Sequence, residues 1–303
     1  MMRDQADMDD AVPTDQPLAA ATATPPMLLS VNGVSKAFGD RWAICDVSFS
    51  VAPGEVVAVL GPSGVGKSTL FRCIAGLQKA DAGTVDLDGT DIAGLRAIDR
   101  RDIAVVFQQY NLVRRLTALD NVLAGRLGHV AQWRGILRRF ERADTLKALE
   151  CLERVGLLDQ AQQRADTLSG GQQQRVAIAR ALAQEARLVV ADEPVASLDP
   201  VSAAGVLQLL RDIARTDGVA VLCSLHQTGY ARAFADRILG MSDGQIIVDA
   251  LARNLDDTAI AALYAPKSLQ SSTEDAFSSG NSPIRQIPDG DHDATHSRAH
   301  RQA

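Results

Sequence analysis

Apolar and polar positions along the chain follow two different spacings. In the stretches LLSVNGVSKAF, AICDVSFSVAPGE and EVVAVL they alternate, which predicts β-strands. From about residue 110 to 186 the spacing is helical, and the short apolar strands RLVVAD and VAVLCSL then alternate with further helices. Strands that alternate with helices predict an α/β fold, with a mostly parallel sheet and an inserted helical region.

Both ends of the chain lack this patterning. Residues 1 to 26 are rich in Asp, Ala, Thr and Pro, and residues 266 to 303 are rich in Ser, Asp and Gly. Such compositions bury too little apolar surface to fold, so we predict two disordered tails around a folded domain at 27 to 265. His292, His296 and His300 are evenly spaced in the second tail, but their polar surroundings favour a solvated coil, and we assign them no function.

Composition narrows the classes of function. The chain has 303 residues, 46% of them hydrophobic, which is enough for a full core. Its net charge of −6, without a basic block, argues against nucleic acid as the main partner. The acidic start MMRDQADMDD and the lack of a long apolar run predict a cytoplasmic protein, which can still sit on a membrane partner. Its scattered cysteines predict reduced, mostly buried thiols.

The stretch VAVLGPSGVGKSTLFRCIAGL carries a phosphate-binding pattern. Gly61, Gly66, Lys67 and Ser68 form G-x-x-x-x-G-K-S between an apolar strand and a helical pattern, which is the context that this motif requires. In such a surface loop the backbone N–H groups wrap phosphate oxygens, Lys67 supplies a positive charge to the outer phosphates, and Ser68 offers a hydroxyl to Mg²⁺. The predicted phosphate-binding residues are Gly61, Pro62, Ser63, Gly64, Val65, Gly66, Lys67, Ser68 and Thr69.

Polar side chains close several of the predicted strands. Asp192 and Glu193 follow an apolar strand, which places Asp192 to hold Mg²⁺ beside Ser68 and frees Glu193 to act as general base on the attacking water. Gln108 lies at the end of another strand and is placed to sense Mg²⁺ or that water. His226 lies at the end of a third strand and is placed to bond the terminal phosphate. Taken singly, each is more often an ordinary strand-end polar group. Because ligands bind outside the carboxyl ends of strands in open α/β sheets, we expect these residues to act together.

The stretch LSGGQQQR, residues 168 to 175, predicts the start of a helix. Ser169 is a good capping residue, Gly170 and Gly171 allow close approach of the backbone, and the helix then continues through VAIARAL. The free N–H groups and the positive dipole end of such a start suit an anion. On its own, the stretch is equally consistent with a plain surface helix.

The order of six motifs along the chain resembles the ATP-binding subunit of an ABC transporter. The motifs are the phosphate loop, the strand-end glutamine, LSGGQ, the acidic strand end, SLD at 197 to 199 and the strand-end histidine. The resemblance implies a P-loop NTPase with a RecA-like core, an antiparallel β-subdomain and a helical subdomain inserted at about 110 to 170. It also implies ATP and Mg²⁺ as cofactors, with Ser68, Gln108 and Asp192 on the metal.

The same resemblance implies a head-to-tail dimer with a second copy of the chain. In it, LSGGQ of one copy covers the ATP held by the phosphate loop of the other, so the contacts made in trans come from Ser169, Gly170, Gly171, Gln172 and Asp199. Phe38 is implied to stack on adenine. Trp42 lies nearby, and either ring is equally able to fill the core.

A narrower resemblance, to the phosphonate-import ATPase subfamily, is carried by NLVRRLTALDNVLAGRLG, WRGILRRF, EPVASLDP and LHQ. It implies an ATPase that energises uptake of phosphonates or related organophosphorus anions, bound peripherally at the cytoplasmic face of the inner membrane. Its partners are then membrane permease subunits and, indirectly, a periplasmic or extracellular substrate-binding protein. Because the cassette never touches the imported molecule in this family, an importer for another oxyanion or an amino acid stays open.

Two other classes of ABC-type protein fit the chain poorly. DNA-maintenance ATPases of the SMC type place a long coiled coil between the phosphate loop and the signature, and the interval from Lys67 to Ser169 is too short for one. Translation-associated ABC factors carry two cassettes in one chain, whereas each motif occurs once here.

Overall fold

The computed structural model describes residues 27–94, 101–130 and 140–264. Both predicted tails lie outside the described residues, together with the three histidines of the second tail and most of WRGILRRF. The described residues belong to one unit that ends at Leu263, and of the unit that follows only Tyr264 is described. No helix in these ranges is both long and apolar enough to cross a membrane.

The strands of the described ranges form two sheets. In chain order they are β1 Leu29–Phe38, β2 Arg41–Val51, β3 Val56–Leu60, β4 Ala82–Leu87, β5 Thr90–Asp91, β6 Ile103–Val106, β7 Leu188–Ala191, β8 Ala220–Ser224, β9 Arg237–Ser242 and β10 Gln245–Leu251. The smaller sheet has the order β2-β1-β4-β5 and is antiparallel. The larger sheet has the order β10-β9-β3-β8-β7-β6. Adjacent strands in it run parallel, except for β10 and β9, which are antiparallel.

Helices fill the intervals between these strands. In the described ranges they are α1 Lys67–Ile74, α2 Ala118–Leu123, α3 Arg142–Arg154, α4 Gly170–Ala183, α5 Pro200–Asp217, α6 Thr228–Phe234 and α7 Asp257–Tyr264. Short 3-10 turns lie at Ile92–Gly94, Ala124–Gly128, Ala165–Thr167 and Ala252–Asn254. The predicted α/β architecture is confirmed: an antiparallel sheet, a mostly parallel sheet, and α2 and α3 in the interval expected to be helical.

The central strands β3, β7 and β8 are buried along their whole length. Successive side chains of a strand point to opposite faces of the sheet, and here both faces are covered. In β8, Ala220 and Leu222 pack in the cluster that contains α1 and the antiparallel sheet, whereas Val221 and Cys223 pack in the cluster that contains α4 and α5. Fully burying one such Leu or Val contributes about 1.5–3 kcal/mol. This alternation decides the face to which each strand-end side chain points.

The cysteines are free thiols, as the sequence predicted. Cys73, Cys151 and Cys223 are buried, and Cys45 is partly buried. Burial raises the pKa of Cys73 and of Cys151 to about 11, so both thiols stay protonated at neutral pH.

The turn after β6 is fastened to α4. Tyr110 and Asn111 have φ angles of 59° and 47°, in the left-handed region that costs about 1–3 kcal/mol for a residue other than glycine. Arg180 of α4 donates to both carbonyl oxygens, from Nη1 to Asn111 at 2.7 Å and from Nη2 to Tyr110 at 3.1 Å. Burial lowers the pKa of Arg180. These hydrogen bonds partly offset the strain and hold the turn against α4.

The 3-10 turn after α2 crosses α4 at very short range. A Cβ on Gly125 would lie 2.3 Å from the carbonyl oxygen of Arg180, so a side chain has no room there. Next to this contact, Arg126 bonds Asp144 at 3.0 Å and Glu185 at 2.9 Å, and its Nη1 also donates to the carbonyl oxygen of Ala183. The helical region is therefore anchored to α4 by one backbone contact and one partly buried ion-pair network.

We predict that Gly125→Ala lowers the free energy of unfolding by about 1–3 kcal/mol, because the new methyl group forces two backbones apart. For a domain of this size each kcal/mol corresponds to about 2–4 °C in Tm, so a thermal melt resolves the change. Gly128→Ala is the matched control, since its Cβ would lie 3.6 Å from the Cβ of Arg101, an ordinary contact. Equal Tm values for the two variants would contradict the close approach.

Candidate functional site

The loop from β3 to α1 is shaped by two glycines that no other residue replaces without strain. Gly61 has a φ of 152°, and a Cβ there would lie 2.4 Å from the carbonyl oxygen of Met241. Gly66 has a φ of 111°, and its Cβ would lie 2.2 Å from the carbonyl oxygen of Ala43. The loop therefore rests on backbone from β9 and β2, which fixes its path.

A cavity of about 170 Å³ opens on this loop. Its lining residues are Ala43, Ser63, Gly64, Gly66, Lys67, Ser68, Thr69 and Glu193. The structure thus brings most of the predicted phosphate loop together with the predicted general base, which comes from the far end of β7. Asp192, His226 and Gln108 lie outside this lining, each at the carboxyl end of a neighbouring strand.

Lys67 is buried rather than exposed, so the expectation of a surface charge was wrong. Its side chain is only 5% exposed, and its Nζ donates to the carbonyl oxygens of Gly61 at 2.7 Å and Pro62 at 2.9 Å. Burial lowers the pKa of Lys67, and the carboxylates of Glu193 and Asp192 partly counteract that shift. The ammonium group is thus held inside the loop by the loop's own backbone.

A chain of hydrogen bonds joins the ends of β7 and β8. Ser224 Oγ donates to Asp192 Oδ1 at 2.8 Å and accepts the N–H of Glu193 at 2.7 Å. Glu193 Oε1 lies 2.6 Å from His226 Nε2. Asp192, Glu193 and His226 were predicted from the sequence, but Ser224 was not, because its only signal is a hydroxyl at the end of an apolar strand.

Glu193 reaches this position through an unusual backbone conformation. Its φ of 49° lies in the left-handed region, and it directly follows Asp192, whose N–H bonds the carbonyl oxygen of Val106 at 2.9 Å. The chain therefore turns sharply where β7 ends. That turn lets the carboxylate of Glu193 reach both the cavity and His226.

Gln108 lies on the exposed turn after β6, the edge strand next to β7. The last residue of that strand, Val106, bonds the N–H of Asp192, so the two strand ends are held side by side. The predicted contact of Gln108 with Mg²⁺ stays a prediction.

The helix start at LSGGQ is confirmed as a capped N-terminus. Ser169 caps α4: its Oγ accepts the N–H of Gln172 at 3.3 Å, and its own N–H donates to Gln172 Oε1 at 2.9 Å. The two glycines pack tightly within the same chain, since a Cβ on Gly170 would lie 3.1 Å from Tyr110 Oη and a Cβ on Gly171 3.2 Å from Ser202 Oγ. The anion-binding role of this start stays a prediction.

The start of α5 lies beside the start of α4. Asp199 caps α5, and its Oδ1 accepts the N–H groups of Val201 at 3.1 Å and Ser202 at 3.0 Å. Hydrogen bonds from Ser202, through its side chain and its backbone, lower the pKa of the exposed Asp199 carboxyl. Through the contact of Gly171 with Ser202, two positive helix ends therefore lie close together.

The two aromatic candidates for stacking lie on the β1–β2 hairpin. Phe38 is 52% exposed and Trp42 is 56% exposed, so neither ring fills the core. Trp42 pairs with Ala37 across the hairpin, and Lys36 Nζ lies 5.8 Å from the centre of the Phe38 ring. Both rings are available to a planar ligand.

Comparisons with known proteins identify relatives over most of the chain. Residues 44–196 match a family model described as ABC transporter. The chain is 54% identical over 239 residues to the phosphonates import ATP-binding protein PhnC of Frankia casuarinae, with 77% of this chain and 94% of that protein covered. It is 49% identical over 241 residues to the hypophosphite import ATP-binding protein HtxD of Stutzerimonas stutzeri, with 78% and 70% covered.

Solved structures of ATP-binding cassettes share the fold. One is a dimeric cassette in a post-hydrolysis state with bound ADP and Pi, with a TM-score of 0.65 and 36% identity over 75% of this chain and 100% of that one. Another is an ABC transporter cassette in its ADP conformation, with a TM-score of 0.69 and 29% identity over 82% and 98%. The P-loop NTPase fold with a nucleotide-binding cassette architecture is confirmed.

We predict that Lys67→Ala weakens ATP binding about 10- to 100-fold, because a charge-assisted hydrogen bond to phosphate is worth about 1.5–3 kcal/mol. Isothermal titration calorimetry measures the affinity, and circular dichroism checks that the loop variant is folded. Lys79→Ala, which removes an exposed lysine after α1, is the control and keeps wild-type affinity. Unchanged ATP affinity in Lys67→Ala would refute the assignment of the phosphate loop.

Proposed function

This chain belongs to the ABC transporter ATP-binding family, and on that premise we propose that it is the ATP-hydrolysing motor subunit of an importer for phosphonates or related organophosphorus anions. ATP hydrolysis is inferred from one observation, that the phosphate loop and Glu193 line the same cavity. The class of substrate is inferred from the 54% identity to a phosphonates import ATP-binding protein.

The phosphate loop supplies the binding energy for the nucleotide. Gly64 and Gly66 line the cavity, and we expect their backbone N–H groups to bind phosphate oxygens there, with the positive end of α1 adding to the attraction. Lys67, held by two carbonyl oxygens, turns its charge to the outer phosphates. The exposed ring of Phe38 or Trp42 stacks on the adenine.

Oxygen donors at the site suit Mg²⁺. Asp192 offers a carboxylate and Ser68 a hydroxyl, and by strand alternation Asp192 points to the face of the sheet that α1 covers. In the described ranges no group of three or more His, Cys, Asp or Glu side chains is placed to hold a metal. The family resemblance adds Gln108 to Asp192 and Ser68, and phosphate and water oxygens would complete the set. Bound there, Mg²⁺ would supply positive charge beside the transferred phosphoryl group.

Glu193 acts on the attacking water. Its carboxylate lines the cavity and accepts a proton from water as that water attacks the terminal phosphate, leaving ADP and phosphate as products. His226 Nε2, at 2.6 Å from Oε1, orients this carboxylate. Both side chains lie at the same end of the sheet, and we propose that the imidazole of His226 also bonds the terminal phosphate.

Half of the nucleotide site comes from a second copy of the chain. A cavity of about 170 Å³ is smaller than the roughly 300 Å³ of sites that enclose a ligand, which supports a site completed by a partner. The paired starts of α4 and α5 supply the second half, with Ser169, Gly170, Gly171 and Gln172 on the γ-phosphate and Asp199 beside them. The dimeric state of a solved relative supports this arrangement.

The cassette works with membrane subunits. The relatives are named as import ATP-binding proteins, and we place this chain peripherally at the cytoplasmic face of the inner membrane, bound to permease subunits that receive a substrate-binding protein on the other side. The segment from Gln108 to Leu119, which is partly exposed, and the adjoining helical region carry the permease contact.

We predict that Glu193→Gln binds ATP, hydrolyses it about 100- to 10,000-fold more slowly, and forms an ATP-dependent dimer, because the amide cannot accept the proton of water. Gel filtration with ATP reports the dimer. Adding Ser169→Arg places a bulky side chain over the partner's γ-phosphate, so the double variant still binds ATP but stays monomeric.

Thr216→Arg in the Glu193→Gln background is the matched control. It adds the same side chain at an exposed position of the last turn of α5, away from both helix starts, and keeps the dimer. If the Ser169→Arg variant dimerised as well as this control, the start of α4 would be excluded as half of the site.

Import of phosphonate is tested by growth. We predict that a deletion strain loses growth on methylphosphonate as the only phosphorus source and keeps growth on phosphate. The wild-type gene restores growth on methylphosphonate, whereas the Glu193→Gln gene does not.

Hypophosphite is the second candidate substrate, because one relative at 49% identity is named for it. Growth of the deletion strain on methylphosphonate, together with lost growth on hypophosphite, would replace the first candidate by the second. Unimpaired growth on both would leave an importer for another oxyanion or an amino acid.

A further inference from the structure

Ser224 lies between the two strand ends that lead into the phosphate loop and into Asp192. It is the last residue of β8, which lies in the sheet between β3, the strand before the phosphate loop, and β7, the strand before Asp192. Cys223 pairs with Ala191, so the next pair along these parallel strands is Ser224 with Asp192. By alternation both side chains point to the face that α1 covers.

The hydroxyl of Ser224 makes two hydrogen bonds whose directions are fixed by chemistry. A backbone N–H only donates, so Oγ accepts from Glu193, and an ionised carboxylate only accepts, so Oγ donates to Asp192. A hydroxyl has one proton and free lone pairs, and it performs both tasks at once. The side chain is fully buried, so water does not substitute for it.

We propose that Ser224 is a positioning residue for ATP hydrolysis, a role that rests on the proposed function. Its hydroxyl holds Glu193 in its left-handed turn and orients the Asp192 carboxylate, so that base and metal-binding carboxylate keep one fixed spacing. The left-handed backbone of Glu193 is strained, and the bond from its N–H offsets part of that strain. Without it, the carboxylate of Glu193 leaves its place in the cavity.

Kinetics of three variants test this role in the full-length chain. Ser224→Ala lowers kcat about 10- to 100-fold, as removal of an orienting partner does at other sites, and leaves KM for ATP within about twofold. Ser224→Thr keeps the hydroxyl and restores most of kcat. Cys223→Ala is the matched control, because it removes a buried side chain from the next position of β8, on the opposite face, and keeps wild-type kcat.

Hydrogen exchange measured by mass spectrometry gives a readout that needs no ATP. The N–H of Glu193 is bonded to Oγ, so in Ser224→Ala the peptide containing Glu193 exchanges faster than in wild type. Ser224→Thr and Cys223→Ala keep wild-type exchange in that peptide. Added to Glu193→Gln, Ser224→Ala also keeps the ATP-dependent dimer, because its defect lies in hydrolysis and not in nucleotide binding.

If the wild-type chain hydrolyses ATP, any one of three results would overturn the proposal. They are an undiminished kcat in Ser224→Ala, an equal loss of kcat in Cys223→Ala, and unchanged exchange of the Glu193 peptide. A wild-type chain without ATPase activity would instead remove the proposed function, and the positioning role with it.

Discussion

The burial of the central strands on both faces determines the rest of the site. Because β3, β7 and β8 are covered on both sides, each side chain is assigned to a face by its position alone, and the polar groups emerge where the strands end. Asp192 and Ser224 fall on the α1 face for the same reason that Leu222 does. A shift of β7 by one residue would turn Asp192 to the other face and separate it from the phosphate loop.

What the sequence predicted correctly depends on short-range rules. The capped start at Ser169 follows from residues within one helical turn, and the loop between β3 and α1 follows from glycine and lysine spacing between a strand and a helix. The bridge from Ser224 to Asp192 follows from the register of two strands far apart in the chain, which no local pattern encodes. For the same reason the sequence did not reveal that Lys67 folds onto the carbonyl oxygens of its own loop.

Glycine positions show how a correct motif can have an incomplete explanation. From the sequence, the glycines of the phosphate loop and of LSGGQ are explained by close approach of the backbone to a ligand. In the structure Gly61 and Gly66 also lie against the backbone of Met241 and Ala43, and Gly170 lies against the ring hydroxyl of Tyr110. These contacts join segments distant in sequence, so only the folded chain reveals them.

The position of β3 in the sheet has a consequence for the order in which the protein matures during its synthesis. Both neighbours of β3 come from late in the chain, since β8 begins at Ala220 and β9 at Arg237. Until the ribosome has released those residues, the strand that carries the phosphate loop has no partner on either edge, and Gly61 has no backbone of Met241 to rest on. The nucleotide-binding loop is thus completed after the helical region that precedes β7, and a nascent chain that ends before Ala220 lacks it.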